Sequence, residues 1–291
     1  MKDRIWDILF WIVVTVFLLV LFHAARRIFW FDQFVIPTSS MEPTLIPGDR
    51  ILVNKTIIGP RIYSNFDFKE GAALECKRLK GKRGVCPNDI IVFNFPYGWH
   101  NREIAFKINF IYAKRCIGTP GDSVGISKGW FVNNRYAGII GDVGSQRSFE
   151  QMTDEMIGNR YLKPGWMRAA DTTWTIHDFG PLYVPEAGGV IALDECNAAL
   201  YGCVVKYETG FELERTEDGL FCLNGQMVEC YTFRQNYYFA CGDNIADSND
   251  SRHWGFIPED FIVGVASRIS YSKDSTSNKI RIGRFMKKLS T

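Results

Sequence analysis

The chain has no CxxC pair, only four histidines, and no marked excess of either charge. Protein zinc sites gather Cys and His at short spacings. Here His23, His100, His177 and His253 are scattered, so no metal centre is expected. Lys and Arg total 34 against 32 Asp and Glu, a formal net charge of +2. So even a balance gives no electrostatic footprint for nucleic-acid binding. Low-complexity tracts are absent, and after the first 25 residues no apolar run is long enough to span a bilayer.

What is present suits a β-rich globular body. The 291 residues can bury a substantial core, and 14% aromatic residues with 26 glycines fit strands and tight turns better than a helical bundle. Ahead of that body stands one long apolar segment. From Ile8 to Phe22 only Thr15 is polar, and from Ile5 to Ala25 the strongly polar interruptions are Asp7 and His23. About 21 residues at 1.5 Å each match a hydrocarbon layer of roughly 30 Å, so a spanning helix is expected. A cleaved secretory leader would have a shorter apolar region followed by a small-residue cut site, and Ala24-Ala25 before Arg26-Arg27 makes a poor one. Lys2 and Arg4 flank one end and Arg26 and Arg27 the other, so counting positive charges leaves the orientation open. Phe29-Trp30-Phe31 and Phe34-Val35-Ile36 then supply an interfacial belt.

Short apolar runs at Ile51–Val53, Ile90–Phe93 and Val263–Ala266 read as strands. Turns are expected at Asn133-Asn134, after Trp130-Phe131-Val132, and at Asn224-Gly225, between Phe221–Leu223 and Gln226–Val228. A helical stretch is expected over Phe149–Met156, inside a region, 137–236, that looks inserted between two chemical blocks. Residues 65–87 read as a solvated basic loop carrying Lys77, Arg78, Lys80, Lys82 and Arg83 between two cysteines. Eight cysteines, with close pairs at Cys76/Cys86, Cys196/Cys203 and Cys222/Cys230, favour disulfides in an exported body over metal binding, with the pairing open.

Three segments carry chemistry: Ile36-Pro37-Thr38-Ser39-Ser40-Met41-Glu42-Pro43-Thr44-Leu45, then Tyr112-Ala113-Lys114-Arg115-Cys116 through Asp122, then Gly242-Asp243-Asn244 through Pro258. A serine between two prolines sits in a turn that exposes its hydroxyl. That hydroxyl becomes a nucleophile only when a base takes its proton, and a lysine amine serves once burial lowers its pKa from about 10.4 towards neutrality. Strand alternation through Ile111-Tyr112-Ala113-Lys114 lets Lys114 face inward. His177-Asp178 invites a Ser-His-Asp alternative, but neighbours in sequence rarely arrange as a triad, and no nucleophile elbow is expected beside them.

In these three blocks, in this order behind a membrane anchor, the sequence resembles the type I signal peptidases, over residues 1–60, 88–136 and 237–270. Phe179-Gly180-Pro181-Leu182-Tyr183-Val184-Pro185 adds a family-like phrase in the middle. The resemblance implies a mainly β protein: an antiparallel β-sheet catalytic core with an inserted second region, tethered by one N-terminal transmembrane helix. The expected division is an N-terminal flank 1–4, an anchor 5–27, core segments 28–136 and 237–273 around the insertion 137–236, and a basic tail 274–291. It implies Ser40 as nucleophile, Lys114 as general base, Thr38 as oxyanion donor beside the Ser40 N–H, and Ser248 as the group that orients the lysine. Asp250 and Arg252 match a supporting ion pair, with Asp243, Asn244 and Arg115 as further scaffold.

Exported preproteins, cut after small residues in an Ala-x-Ala-like pattern, would be the substrates, with the lipid bilayer as the other partner, no nucleic acid, and neither metal nor nucleotide cofactor. The implied location is the cell (inner or plasma) membrane, single-pass, with the catalytic part on the exported side. Ser39 stands where many members have Gly, and Ile245-Ala246 where Arg-Asp is common, which leaves the support network open, as it leaves open whether Cys116 and Cys241 are free. Two rivals differ in substrate use: a relative dedicated to maturing one component, and a tethered scaffold that keeps the fold without activity.

Overall fold

The computed structural model describes residues 2–65, 75–97, 103–158, 166, 173–274 and 276–289. Helix α1 runs Lys2–Phe29, and its stretch Arg4–Phe29 is long and apolar enough to cross a membrane. Its large side chains from Ile5 to Phe22 stand exposed; a helix apolar all round and uncovered by protein fits a membrane anchor. Side chains tie the end of this helix to the body. Lys55 Nζ donates to the Arg27 carbonyl at 2.6 Å and to Asp32 Oδ2 at 3.4 Å, and Arg27 Nε donates to Asp32 Oδ1 at 3.0 Å. A cation at the helix C-terminus satisfies a carbonyl that has no partner within the helix.

A seven-stranded sheet positions the site. Its strands are β1 (Phe31–Val35), β2 (Asp49–Asn54), β3 (Ile90–Asn94), β4 (Ile111–Gly118), β5 (Tyr237–Cys241), β6 (Ile257–Pro258) and β7 (Ile262–Ser272). Every pairing is antiparallel, in the spatial order β1-β2-β7-β3-β4-β5-β6. The three expected apolar runs lie in β2, β3 and β7. In β2, Asp49, Ile51 and Val53 are buried while the residues between them are not, the two-residue period of a half-covered strand. In β3 all five residues are buried: Ile90 and Val92 join one apolar cluster with Met41, Leu45 and Ile51, and Ile91 and Phe93 join the other with Ile117, Phe239 and Phe256. The sheet therefore separates two cores, and β3 is apolar from Ile90 to Phe93 because both its faces are covered.

The described residues of 137–236 pack against the larger core. Strand Phe179–Tyr183 pairs with Ser123–Ser127, and helix Glu195–Thr209 buries Leu200, Tyr201, Val204 and Val205. Asp194 caps that helix by accepting from the Asn197 N–H, and Gly210 ends it in the left-handed conformation at φ 80°.

Several expectations change. The Asn224-Gly225 turn forms as read, with Leu223 opposite Gln226. The turn expected after Trp130-Phe131-Val132 lies one residue on, at Asn134-Arg135, where Asn133 Oδ1 accepts the Arg135 N–H at 2.8 Å, and it opens no hairpin among the described residues. The hairpin turn falls instead at Lys128-Gly129, φ 49° and 83°, joining Ser123–Ser127 to Trp130–Asn133. Two successive positive φ values make the two-residue loop that matches strand twist; the Asn133 amide also donates to the Ile117 carbonyl and to Asp122 Oδ2. The same stretch, Gly125-Ile126-Ser127-Lys128-Gly129, spells Gly-x-Ser-x-Gly. The letters of a nucleophile elbow are thus present after all, but they lie in a β-hairpin and not in the strand-to-helix turn that such an elbow needs.

The helix expected over Phe149–Met156 is two short helices, Val143–Glu150 and Asp154–Ile157, the second capped by Thr153. No disulfide joins any of the eight cysteines, so the expected disulfides are not formed. Cys196 and Cys203 share one helix seven residues apart, placing their Cα atoms about 10 Å from each other, beyond the roughly 7 Å a disulfide can bridge. His100 and residues 66–74 of the basic loop lie outside the described residues.

Candidate functional site

The loop from Ile36 to Asp49 leaves β1 and returns in β2. Met41 and Leu45 are buried to 1% and 0% exposure, and the Glu42 N–H to Ser39 carbonyl and Leu45 N–H to Met41 carbonyl bonds, both 2.9 Å, fold the loop back over them. This anchors the chain on either side of Ser40. The C-terminal region braces it from outside: Arg284 donates to the Thr44 carbonyl at 2.8 Å and to both oxygens of the buried Asp49. Burial would raise the Asp49 carboxyl, but the Arg284 and Ser272 hydrogen bonds hold it below its ordinary value.

Lys114 sits in β4 opposite Ile91 of β3, 3% exposed. Its Nζ lies 2.5 Å from Ser40 Oγ, across 74 residues of sequence. Burial pushes the amine down from 10.5 to about 8, against an opposing pull from the Asp250 carboxylate. Thr38 Oγ1 stands 3.4 Å from Ser40 Oγ. All three residues line a cavity of about 410 Å³, walled by apolar side chains including Phe34, Ile36, Ile51, Val92 and Ala113.

The third block wraps this pair from behind. The Asn244 N–H donates to the Ser40 carbonyl at 3.2 Å, and its Nδ2 to the Ser39 carbonyl at 3.3 Å. Arg115 grips Asp243 with Nε and Nη2, both at 2.6 Å, and reaches the Asn88 carbonyl with Nη1 at 2.8 Å. Arg252 grips Asp250 at 2.9 and 2.8 Å, both side chains fully buried. Burial alone would raise the Asp250 carboxyl; the Arg252 guanidinium beside it holds it well below the usual carboxylate range. Asp250 also accepts the Gly242 N–H at 2.9 Å, so the ion pair fixes the backbone of the block.

Ser248 is buried with its hydroxyl unpaired, so the hydrogen bond expected from it to Lys114 is not made here. A methyl group at Gly242 would collide with both that hydroxyl and the Ser40 carbonyl oxygen. Gly242→Ala should therefore displace Ser40 and lower kcat/KM by about 100-fold, the size of effect expected when a reacting group is misplaced by about 1 Å. Unchanged kinetics in a folded variant would show that the loop yields instead.

Neither His177 nor His253 hydrogen-bonds to Ser40 or Lys114. The His177 ring nitrogen Nε2 contacts the Phe149 carbonyl at 3.1 Å, closing the end of helix Val143–Glu150. His253 is largely buried, Nδ1 4.0 Å from Asp250 Oδ1, and burial pushes its imidazole down to about 4, so that it is neutral near pH 7.

The model of the family described as "Signal peptidase, peptidase S26" matches residues 8–271. The chain belongs to that family. Signal peptidase I of Buchnera aphidicola subsp. Acyrthosiphon pisum is 28% identical over 267 residues, covering 89% of this chain and 75% of its own. That of Aquifex aeolicus is 29% identical over 265 residues, covering 89% and 83%, and that of Haemophilus influenzae 28% over 275 residues, covering 87% and 67%. Membership of the signal peptidase family makes this chain a serine endopeptidase that removes signal peptides, and its mainly antiparallel sheet behind an apolar N-terminal helix fits that role.

Sequence reasoning singled out Ser40, Lys114, Thr38, Ser248, Asp250, Arg252, Asp243, Asn244 and Arg115, and these residues gather around the Ser40 cavity and its backing. It missed Arg284 and Asp49, which brace the Ser40 loop from opposite ends of the chain, and Asn88, whose carbonyl takes Arg115. No local pattern announces such contacts. They follow only from strand order.

Proposed function

We propose that Ser40 is the nucleophile and Lys114 the general base of this signal peptidase. The 2.5 Å contact between Ser40 Oγ and a buried lysine amine is the observation that carries the reading. The neutral amine takes the Ser40 proton as Oγ attacks the scissile carbonyl, and Thr38 Oγ1 with the Ser40 N–H receives the developing oxyanion. The resulting ammonium gives its proton to the departing amine of the mature protein. Water, deprotonated by the same amine, then attacks the acyl-enzyme, freeing the signal peptide and Ser40.

Ser248 has a hydroxyl free for the amine to turn towards once Oγ is acylated. The Asp250–Arg252 and Asp243–Arg115 pairs hold these groups in place. Residues 28–136 and 237–273 form the catalytic core, 137–236 the insertion, and 274–291 a tail that braces the nucleophile loop. The shallow apolar wall around Ile36, Val92 and Ala113 suits small side chains, so cutting after Ala-x-Ala-like sequences is the expected specificity. The substrates are exported preproteins, met at the membrane surface with the catalytic part on the exported side.

The test is to incubate solubilised protein, wild type beside Ser40→Ala, with several unrelated preproteins and read the new N-termini by mass spectrometry. Cleavage of many after small residues, lost in the variant, is the expected result. Cleavage of a single preprotein would point to a dedicated maturase, and none to an inactive scaffold.

A further inference from the structure

Besides Lys114, Asp247 is the one charged residue, among the described residues, that lines the cavity at Ser40. Its side chain is exposed, and its contact within the protein is the Ser39 hydroxyl, which donates to Oδ2 at 3.5 Å. The backbone that carries this carboxylate is held in place. Asp247 N–H donates to the Asn244 carbonyl at 3.0 Å, Asn244 is itself bonded to the carbonyls of Ser39 and Ser40, and Ser248 just beyond is buried. Among the described residues no cation pairs with it. A carboxylate has about four acceptor sites, and one long hydrogen bond leaves most of them turned to whatever occupies the cleft. Elsewhere, apart from Ser39, Asn249, Tyr112 and the catalytic groups, the lining is apolar.

We propose that Asp247 is a specificity-determining residue that gives the cleft a charge preference. It attracts a basic side chain, and repels an acidic one, at the preprotein position that passes it. This rests on the reading of the Ser40 and Lys114 cavity as the place of cleavage. Ser39 contributes by holding the carboxylate on the cleft side of its turn.

The experiment uses one preprotein carrying Lys, Gln or Glu singly at the second position before the cut and at each of the first three after it. kcat/KM is measured for wild type in low and high salt, and for Asp247→Asn and Asp247→Glu. The expected result is one position where Lys exceeds Glu by about tenfold, with Gln between, the scale of one charge contact in a partly desolvated site. That ratio should shrink in high salt, approach unity in Asp247→Asn and survive in Asp247→Glu. A wild-type ratio within about twofold at every position overturns the proposal without reference to any variant. So does a ratio that persists in Asp247→Asn. Ser40→Ala, run on the same substrates, separates the two failures: turnover in that variant sinks the assignment of the cleft itself, whereas its inactivity alongside a flat charge profile sinks only the role of Asp247.

Discussion

Lys114→Met protein should fold, melt no lower than the wild type, and lose at least about 10⁴-fold in kcat/KM, the scale of loss when a member of a catalytic unit is removed. The activity half of this expectation follows from the contact with Ser40. The stability half follows from burial. Because folding lowers the Lys114 pKa from 10.5 to about 8, the unfolded chain binds the proton more tightly. Below about pH 8 both states are protonated and the folded protein carries the whole cost of a buried ammonium. Between about pH 8 and 10.5 that cost lifts as the folded state releases its proton first. Methionine removes the cost, so its gain in Tm should be larger at pH 7 than at pH 10. The wild-type kcat/KM should rise with pH to a plateau, with its midpoint near 8. Substantial turnover by Lys114→Met, or a profile flat from pH 6 to 10, would remove Lys114 from the role of base.

Arg252→Met should be the most damaging change to stability, about 3–5 kcal/mol, because it leaves the Asp250 carboxylate buried without its counter-charge. In a domain of this size that is a drop in Tm of roughly 10 °C. The loss should be largest at neutral pH, where the Asp250 carboxyl must be ionised or take up a proton. Arg252 also opposes the protonated form of Lys114, so any activity the variant retains should have its rising limb at higher pH. Replacing both partners, Arg252→Met with Asp250→Leu, should recover most of the Tm and none of the activity, since Asp250 also holds the Gly242 N–H. Equal destabilisation in the single and double variants would mean that cavity formation, not charge, is the dominant cost.

The elements legible in the sequence were those whose signal is local. Helix α1 was fixed by its apolar length, β3 by an unbroken run of apolar residues, and the Asn224-Gly225 turn by residues that accept positive φ at little cost. The turn at Lys128-Gly129 was missed because lysine gives no such signal. The gap between the two short helices at residues 151–153 was missed because the capping role of Thr153 depends on where the preceding helix stops.

For the site, Ser40 and Lys114 were legible through the blocks around them. Their 2.5 Å contact was not, since it depends on β3 and β4 pairing in a register that sets Lys114 opposite Ile91. The unpaired Ser248 hydroxyl and the carboxylate of Asp247 at the cleft were equally hidden, because both depend on how residues 242–250 fold around the Ser40 backbone.

The order of strands has a consequence for when the enzyme comes into being. β7, which comes latest in sequence among the described strands, lies between β2 and β3 and is hydrogen-bonded to both. The sheet half that carries the Ser40 loop and the half that carries Lys114 thus have no direct ladder between them until the C-terminal strand inserts. A chain still emerging from its ribosome already holds both residues, yet has no framework to bring them together. Closing so long a loop is entropically costly and slow. The meeting of Ser40 and Lys114 is in this way held back until β7 has been made and has paired on both its edges.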